Sequence, residues 1–234
     1  MGIPERKERE KEHRREEIIN AAQKVFFEKG LQAATMDEIA EAAELSKGTL
    51  YLYYKSKEDL YLTVMMRGIE ILHNMFAATT STKEPTVVQL VQLGDAYYEF
   101  FKQHRNYFRM FYFFQHPQFH KGVSEDMMMN CSEENQKVWR EVIGVIQRGI
   151  EEGDIRPDIN PVETAVILWS SSNAIMTRMD TQLEYFKERM SVDLDDVLRK
   201  SNALLLESIL TDRAKQQHRA LLLRGWSAEK IEIN

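Results

Sequence analysis

The sequence predicts an all-α protein, and three observations carry that expectation. Ala, Leu, Glu, Lys, Met and Arg dominate the 234 residues, interrupted by only five prolines and ten glycines, a composition of good helix formers. Apolar residues recur at the three-and-four spacing of one helix face. Helix-start signals are frequent, with Thr35 three residues before Glu38, Ser56 three before Asp59, Asn160 before Pro161, and Asp193 before an apolar stripe. The expected layout is a helix-turn-helix domain over residues 1–60 with its motif at about 35–54, a larger helical domain over 61–212, and a C-terminal extension over 213–234.

The first helix is marked by Ile18, Ala22, Val25 and Phe26 at helical spacing, and Gly30 can end it by taking a left-handed C-cap. Thr35 then opens a second helix through a capping box, its hydroxyl accepting the N–H of Glu38 while the Glu38 carboxylate reaches back to the N–H of Thr35. Met36, Ile39, Ala40 and Ala43 form the buried face and leave Asp37, Glu38, Glu41 and Glu44 outward. Leu45-Ser46 breaks that pattern, and Ser46 caps a third helix predicted over Lys47–Tyr54. There Leu50 and Tyr54 turn inward, and Lys47, Thr49, Tyr51 and Tyr53 face out. The first turn offers backbone N–H groups and a positive dipole end, both suited to phosphate. Two short helices joined by a tight turn, the second with aromatic and basic side chains outward, are the layout of a DNA-reading helix-turn-helix. Ser56-Lys57-Glu58-Asp59 starts a longer helix through Leu60, Val64, Ile71, Leu72 and Phe76, with Lys57 placed in its first turn.

Ala22, Phe26, Gly30, Thr35, Ile39-Ala40, Ser46-Lys47-Gly48-Thr49-Leu50-Tyr51, Tyr54 and Ser56-Lys57-Glu58-Asp59-Leu60 resemble the N-terminal signature of the TetR (tetracycline-repressor-like) transcriptional regulators, in order and without a gap. Two departures stand out. The family usually has Gly where this chain has Glu44, a substitution that costs roughly 1–2 kcal/mol if the position is left-handed. It usually has Phe where this chain has Tyr54, so a hydroxyl must find a partner or water. The resemblance implies a homodimer joined through helices at about 161–179 and 194–211. It also implies an effector ligand that shifts the helix starting near Ser56, moves the two DNA-reading modules apart and lowers operator affinity. Two modules about one DNA turn (roughly 34 Å) or more apart would read a palindromic operator.

Charge limits how such a protein can hold DNA. The chain carries 31 basic against 37 acidic residues, a net charge of −6, the wrong sign for a general polyanion binder. Residues 1–60 hold 11 Lys and Arg against 13 Asp and Glu. Affinity must therefore come from local placement. Residues 46–57 contain Lys47, Lys55 and Lys57 and no acid, and Arg14-Arg15 lie within reach of the same backbone. Few phosphate contacts favour specific sites and a moderate salt slope. Residues 5–17 mix six basic with six acidic side chains and read as a solvated helix extension.

The remaining helices are expected at about Thr86–His104, through the aromatic run Tyr107–Phe114, from about Glu125 to Gly153, from Asn160 to Met179, and from Asp193 through Leu194, Val197, Leu198, Leu204, Leu205, Ser208 and Ile209. Ser170-Ser171-Ser172-Asn173-Ala174 offers small side chains that permit close helix approach, either to a second subunit or within one. Leu221-Leu222-Leu223 and Trp226 read as a docking segment or an exposed extension. No apolar run reaches the roughly 20 residues of a membrane span, and the first 17 residues are charged rather than a signal peptide. A soluble, cytoplasmic protein is expected.

The site predicted from these residues has two parts. For DNA, Lys47, Thr49, Tyr51 and Tyr53 are the base or sugar contacts, Ser46 caps, Gly48 lets the backbone approach closely, and Thr35, Lys55 and Lys57 position the module on phosphates. For a small-molecule effector, Tyr97, Phe101, His104, Phe108, Tyr112, Trp139, Trp169 and Asn173 are the candidates among many aromatic and Met residues, with His73 and Arg178 as further polar handles. An aromatic, Met-rich lining suits a flat or hydrophobic ligand. No cofactor and no metal are expected. His116 and His120 have a metal-ligand spacing with Glu125 and Asp126 nearby, but Pro117 between them interrupts the helix that would align them. Cys131 has no base arrangement, and neither a phosphate-binding Gly loop nor a nucleophile elbow occurs, so no enzyme is expected. The sequence points to a ligand-released repressor. An activator, a non-specific DNA-binding protein of the same fold, and a ligand-binding protein that has lost DNA affinity remain as alternatives.

Overall fold

The computed structural model describes residues 3–114 and 122–224, so the spacing at His116 and His120 and the aromatic Trp226 lie outside the described residues. The described chain is a succession of helices: α1 (Ile3–Ala33), α2 (Met36–Ala42), α3 (Lys47–Tyr51), α4 (Lys57–Thr80), α5 (Thr86–Gln103), α6 (Arg105–Phe114), α7 (Glu125–Glu151), α8 (Pro161–Thr181), a π-helical turn (Tyr185–Arg189), α9 (Leu194–Ile209), α10 (Asp212–Gln217) and α11 (Arg219–Arg224). Extended pairing among the described residues is limited to one antiparallel bridge, Ile155 with Leu210. The fold is all-α with an N-terminal helix-turn-helix, as the composition predicts.

Compactness groups Met1–Ile71 with His104–Gln136, and Leu72–Gln103 with Lys137–Asn234. In the first unit Ile18, Ala22, Val25 and Phe26 of α1, Ile39 and Ala40 of α2, Leu50 of α3, Tyr54, and Leu60 and Val64 of α4 are all buried. They seal one small apolar core, in which Phe26 meets the Tyr61 ring edge-on at 5.1 Å. Gly30 breaks α1, at φ 71° and ψ 171°, a conformation that disfavours any residue with a Cβ. Before that break, the charged start of α1 is solvated and laced with helical ion pairs such as Arg6–Glu10 and Arg14–Glu17.

α6 is fastened to the same unit. Tyr107 lies over Gly68, where a Cβ would come within 2.6 Å of the ring. Its hydroxyl donates to Gln23 Oε1 at 2.8 Å, and its ring meets Phe27 edge-on at 5.0 Å. Beside it the Arg67 guanidinium donates to Asn20 Oδ1 (2.7 Å) and Gln23 Oε1 (3.0 Å) and pairs with Glu16. The start of α4 holds a second fastening. The Ser56 hydroxyl caps the Asp59 N–H at 3.0 Å, but the buried Asp59 carboxylate accepts the N–H of Ser124 at 2.8 Å, one residue ahead of α7.

In the second unit Gln89, also buried, donates to the Thr82 carbonyl at 2.9 Å and accepts from Arg148 at 2.7 Å, satisfying backbone just past the end of α4. Asn160 and Asp193 cap α8 and α9 as read from the sequence. Part of the run of small residues in α8 is spent inside the subunit: Ser171 Oγ lies 2.7 Å from Ser201 Oγ, and Ser172 donates to Asn202 at 3.0 Å. Those two hydroxyls serve the α8–α9 contact, the within-subunit role open to these small residues. At the end of α9, Thr211 donates through its N–H to the Asp154 carbonyl (2.9 Å) and Arg213 pairs with Asp154. These bonds, with Ala214 fully buried, seat α10.

Candidate nucleic-acid interface

The reading surface is built by two short helices and the turn between them. At Thr35 both arms of the capping box are present, Glu38 N–H to Thr35 Oγ1 at 3.2 Å and Thr35 N–H to Glu38 Oε2 at 3.0 Å. α2 ends in a Schellman turn, with Leu45 N–H donating to the Ala40 carbonyl (2.8 Å) and Glu44 N–H to the Glu41 carbonyl (3.0 Å). That turn needs a left-handed residue, and Glu44 supplies it at φ 55°. The strain anticipated from a non-glycine residue here is real, and the turn has ordinary geometry. Ser46 then caps α3, accepting the Thr49 N–H at 3.1 Å.

α3 is shorter than predicted. It ends at Tyr51, and Leu52 and Tyr53 form a turn, so that Tyr54 can drop into the core while the chain leaves toward α4. The three-residue overreach comes from reading Leu50 and Tyr54 as one continuous helical face. The shortening exposes Leu52 to 83% and Tyr51 to 46%, putting an apolar and an aromatic side chain at the tip. Tyr53 is half-buried and Gly48 is exposed. Added at Gly48, a Cβ would meet only Ser46 Oγ, at 3.8 Å, so internal packing does not require the glycine.

The cations are less free than a count suggests. The Lys47 ammonium lies 2.8 and 3.0 Å from the two carboxylate oxygens of Asp37, an association that raises its pKa. Lys29 pairs with Glu38 at 2.8 Å, and that bond, with the capping bonds from Thr35, holds the Glu38 carboxyl below its usual value. Lys57 donates to the Ala34 carbonyl at 2.7 Å, closing the end of the α1 segment. Lys55 is exposed. Thr49 shares its hydroxyl with Ser46 at 2.8 Å. Sequence reading placed Asp37 on a solvated face and missed its partner ten residues on, because only the turn geometry brings α2 and α3 side by side.

The effector candidates fall in both units. Tyr97, Phe101, Trp139, Trp169 and Asn173 belong to the second. Tyr97 is buried, its hydroxyl raised in pKa by that burial and donating to Asn173 Oδ1 at 3.1 Å, and Trp139 and Trp169 meet edge-on at 5.8 Å. Phe101 is buried. His104, Phe108 and Tyr112 belong to the first unit, with Phe108 buried, His104 half-buried and Tyr112 46% exposed. Of the other polar handles, His73 pairs with Glu141 at 3.5 Å and Arg178 donates to the carbonyl of Ala174 in its own helix. Cys131 is buried, and its thiol is pushed up to about 11. Among the described residues no group of three His, Cys, Asp or Glu side chains is placed to hold a metal, and no helix is long and apolar enough to cross a membrane.

A three-helix module with a capped, outward-facing second element in its helix-turn-helix defines a DNA-binding transcriptional regulator. Residues 18–64 match the pattern of the bacterial regulatory proteins of the tetR family. The chain is 26% identical over 147 residues to the HTH-type transcriptional repressor KstR2 of Mycolicibacterium smegmatis, covering 63% of this chain and 70% of that one. It is 31% identical over 102 residues to the HTH-type transcriptional activator FasR of the same organism, covering 44% and 47%. Among solved structures, the fatty acid degradation regulator FadR of Bacillus halodurans (TM-score 0.61, 17% identity, 82% and 97% of the chains) and the transcriptional regulator FadR of Bacillus subtilis in complex with stearoyl-CoA (TM-score 0.64, 18% identity, 82% and 98%) share the fold. The N-terminal module is that of the bacterial regulatory proteins of the tetR family, and the relatives the chain resembles are transcriptional regulators.

Proposed function

We propose that this regulator is a cytoplasmic homodimer that represses transcription from a palindromic operator and leaves it when a hydrophobic small molecule binds its helical part. The observation that carries the DNA half of this reading is the outward set on α3 and the following turn: Lys47, Gly48, Thr49, Tyr51 and Tyr53 surround a helix whose inward residue, Leu50, is fully buried. Tyr51, Thr49 and Lys47 serve as base or sugar contacts, and Gly48 admits the DNA backbone. Ser46 and Thr35 hold the two helix starts, Lys55 meets phosphate directly, and Lys57 acts through the Ala34 carbonyl it secures with part of its ammonium. Dimerisation through α8 and α9 is supported by the exposure of Val162, Val166 and Ile167 on α8 and Leu204 on α9, an apolar strip that water would otherwise meet.

For the ligand, the buried, hydrogen-bonded Tyr97 and Asn173 beside the Trp139–Trp169 pair offer two polar points in an aromatic surround. Regulators of similar fold or sequence include a stearoyl-CoA complex and a ketosteroid regulator, which favours a long apolar effector. The 31% identity to an activator favours a second reading in which the same DNA-bound dimer recruits rather than blocks polymerase. Operator selection from a random duplex pool, followed by transcription from the selected promoter with and without stearoyl-CoA and a steroid as probes, tests both. A two-fold symmetric site that silences transcription until probe is added is expected. Transcription that rises with occupancy would establish the activator, and an asymmetric site bound by a monomer would sink the dimeric reading.

A further inference from the structure

We infer that Asp37 is a specificity-determining residue of the DNA-reading surface, holding Lys47 so that its charge is withheld from random phosphates and released only where the operator compensates. The inference rests on the proposed role of Lys47 at that surface. Lys47 is the first residue of α3 and Asp37 the second of α2, and both oxygens of the carboxylate lie within hydrogen-bond distance of the ammonium. The pair is open to solvent, with side chains 54% and 66% exposed, so it stands at the surface DNA would approach and is not part of the core.

Affinity for random DNA comes almost wholly from phosphate neutralisation. To contribute there, Lys47 must give up or share Asp37 and bring a carboxylate close to a phosphate. At an operator, base-edge contacts add binding free energy that random DNA does not supply, and that gain offsets the cost. Of the other cations near the turn, Lys29 is paired with Glu38 and Lys57 is bonded to the Ala34 carbonyl, which leaves Lys55 as the exposed one. An acidic module thus gains discrimination from a pair that a basic module would dilute.

Glu41 provides the control. It lies one turn after Asp37 on the same exposed face of α2 and forms no ion pair among the described residues, so Glu41→Gln removes an equal charge without touching Lys47. The experiment measures binding of the full chain to the selected operator and to a random duplex of equal length across a salt series, for the wild type, Asp37→Asn, Glu41→Gln, Lys47→Ala and the Asp37→Asn/Lys47→Ala double variant. Asp37→Asn should tighten random binding and steepen its salt slope by about 0.9, the effect of one added phosphate contact, so that the gain at 50 mM salt is roughly threefold larger than at 200 mM, with a smaller gain on the operator. Glu41→Gln should do less, and in the Lys47→Ala background the effect of Asp37→Asn should shrink to that of Glu41→Gln. Equal shifts for Asp37→Asn and Glu41→Gln, or an effect of Asp37→Asn that survives loss of Lys47, would overturn the inference and leave bulk charge as the cause. Failure of the wild type to select any operator is a separate result that removes the surface itself.

Discussion

Tyr54→Phe should stabilise the DNA-reading unit. Tyr54 is 5% exposed, and its hydroxyl is buried with no hydrogen-bond partner, while burial raises the hydroxyl's pKa. The Thr63 hydroxyl lies nearby and donates to the Asp59 carbonyl at 3.0 Å. Its oxygen keeps a lone pair able to accept from Tyr54, and its presence opposes the rise in the Tyr54 pKa, but the two hydroxyls are not placed in hydrogen-bond geometry. A buried, unmade hydroxyl costs about 1–3 kcal/mol, whereas an apolar group of the same shape carries no such penalty. Phe keeps the ring that packs with Leu50, so the expected gain is about 1–2 kcal/mol, or roughly 3–6 °C in Tm for a chain of this size. Thermal and urea unfolding of the two proteins at equal concentration, with amide exchange in α2 and α3 as the local readout, measures it. Operator affinity should stay within about twofold, because the side chain faces inward. Equal or lower stability of the Phe variant would refute the argument, since it would mean that the hydroxyl is satisfied in solution.

Glu44→Gly should relieve the left-handed strain at φ 55°, worth about 1–2 kcal/mol, but glycine also loosens the unfolded chain by about 0.4–1 kcal/mol. A net gain of up to about 1 kcal/mol in urea midpoint analysis is expected, and a clear loss would show that the Glu44 side chain holds the turn. Asp59→Ala should cost about 1.5–3 kcal/mol by orphaning the Ser124 N–H and removing a charged acceptor, with Asp59→Asn closer to wild type by chemical denaturation; indistinguishable variants would contradict it. The Lys29 bond and the capping bonds depress the Glu38 carboxyl in the folded state, so its contribution is fully present above the unfolded value of 4.5 and is lost as pH falls through the lower folded value. Amides of α2 should therefore exchange faster in acid than those of α8, and Glu38→Gln should flatten that pH dependence.

The parts of this molecule legible in the sequence are those whose cause lies within about four residues. Thr35 with Glu38, Ser46 with Thr49, Asn160 with Val162 and Asp193 with Asp195 each close a bond across two or three positions, so side-chain chemistry alone sets the helix starts. The end of α3 is different. Whether the helix stops at Tyr51 or Tyr54 depends on the angle at which the chain must leave for α4, and Leu50 and Tyr54 are apolar in either case. Long-range fastenings leave no local trace: Lys47 meets Asp37 across 10 positions, Lys57 meets Ala34 across 23 and Ser124 meets Asp59 across 65. The same limit governs the electrostatics. A count of residues 46–57 gives three lysines and no acid, yet two of the three are engaged by groups outside that window. The charge DNA meets is therefore set by tertiary pairing, and a single carboxylate such as Asp37 can alter it without any change in the recognition helix.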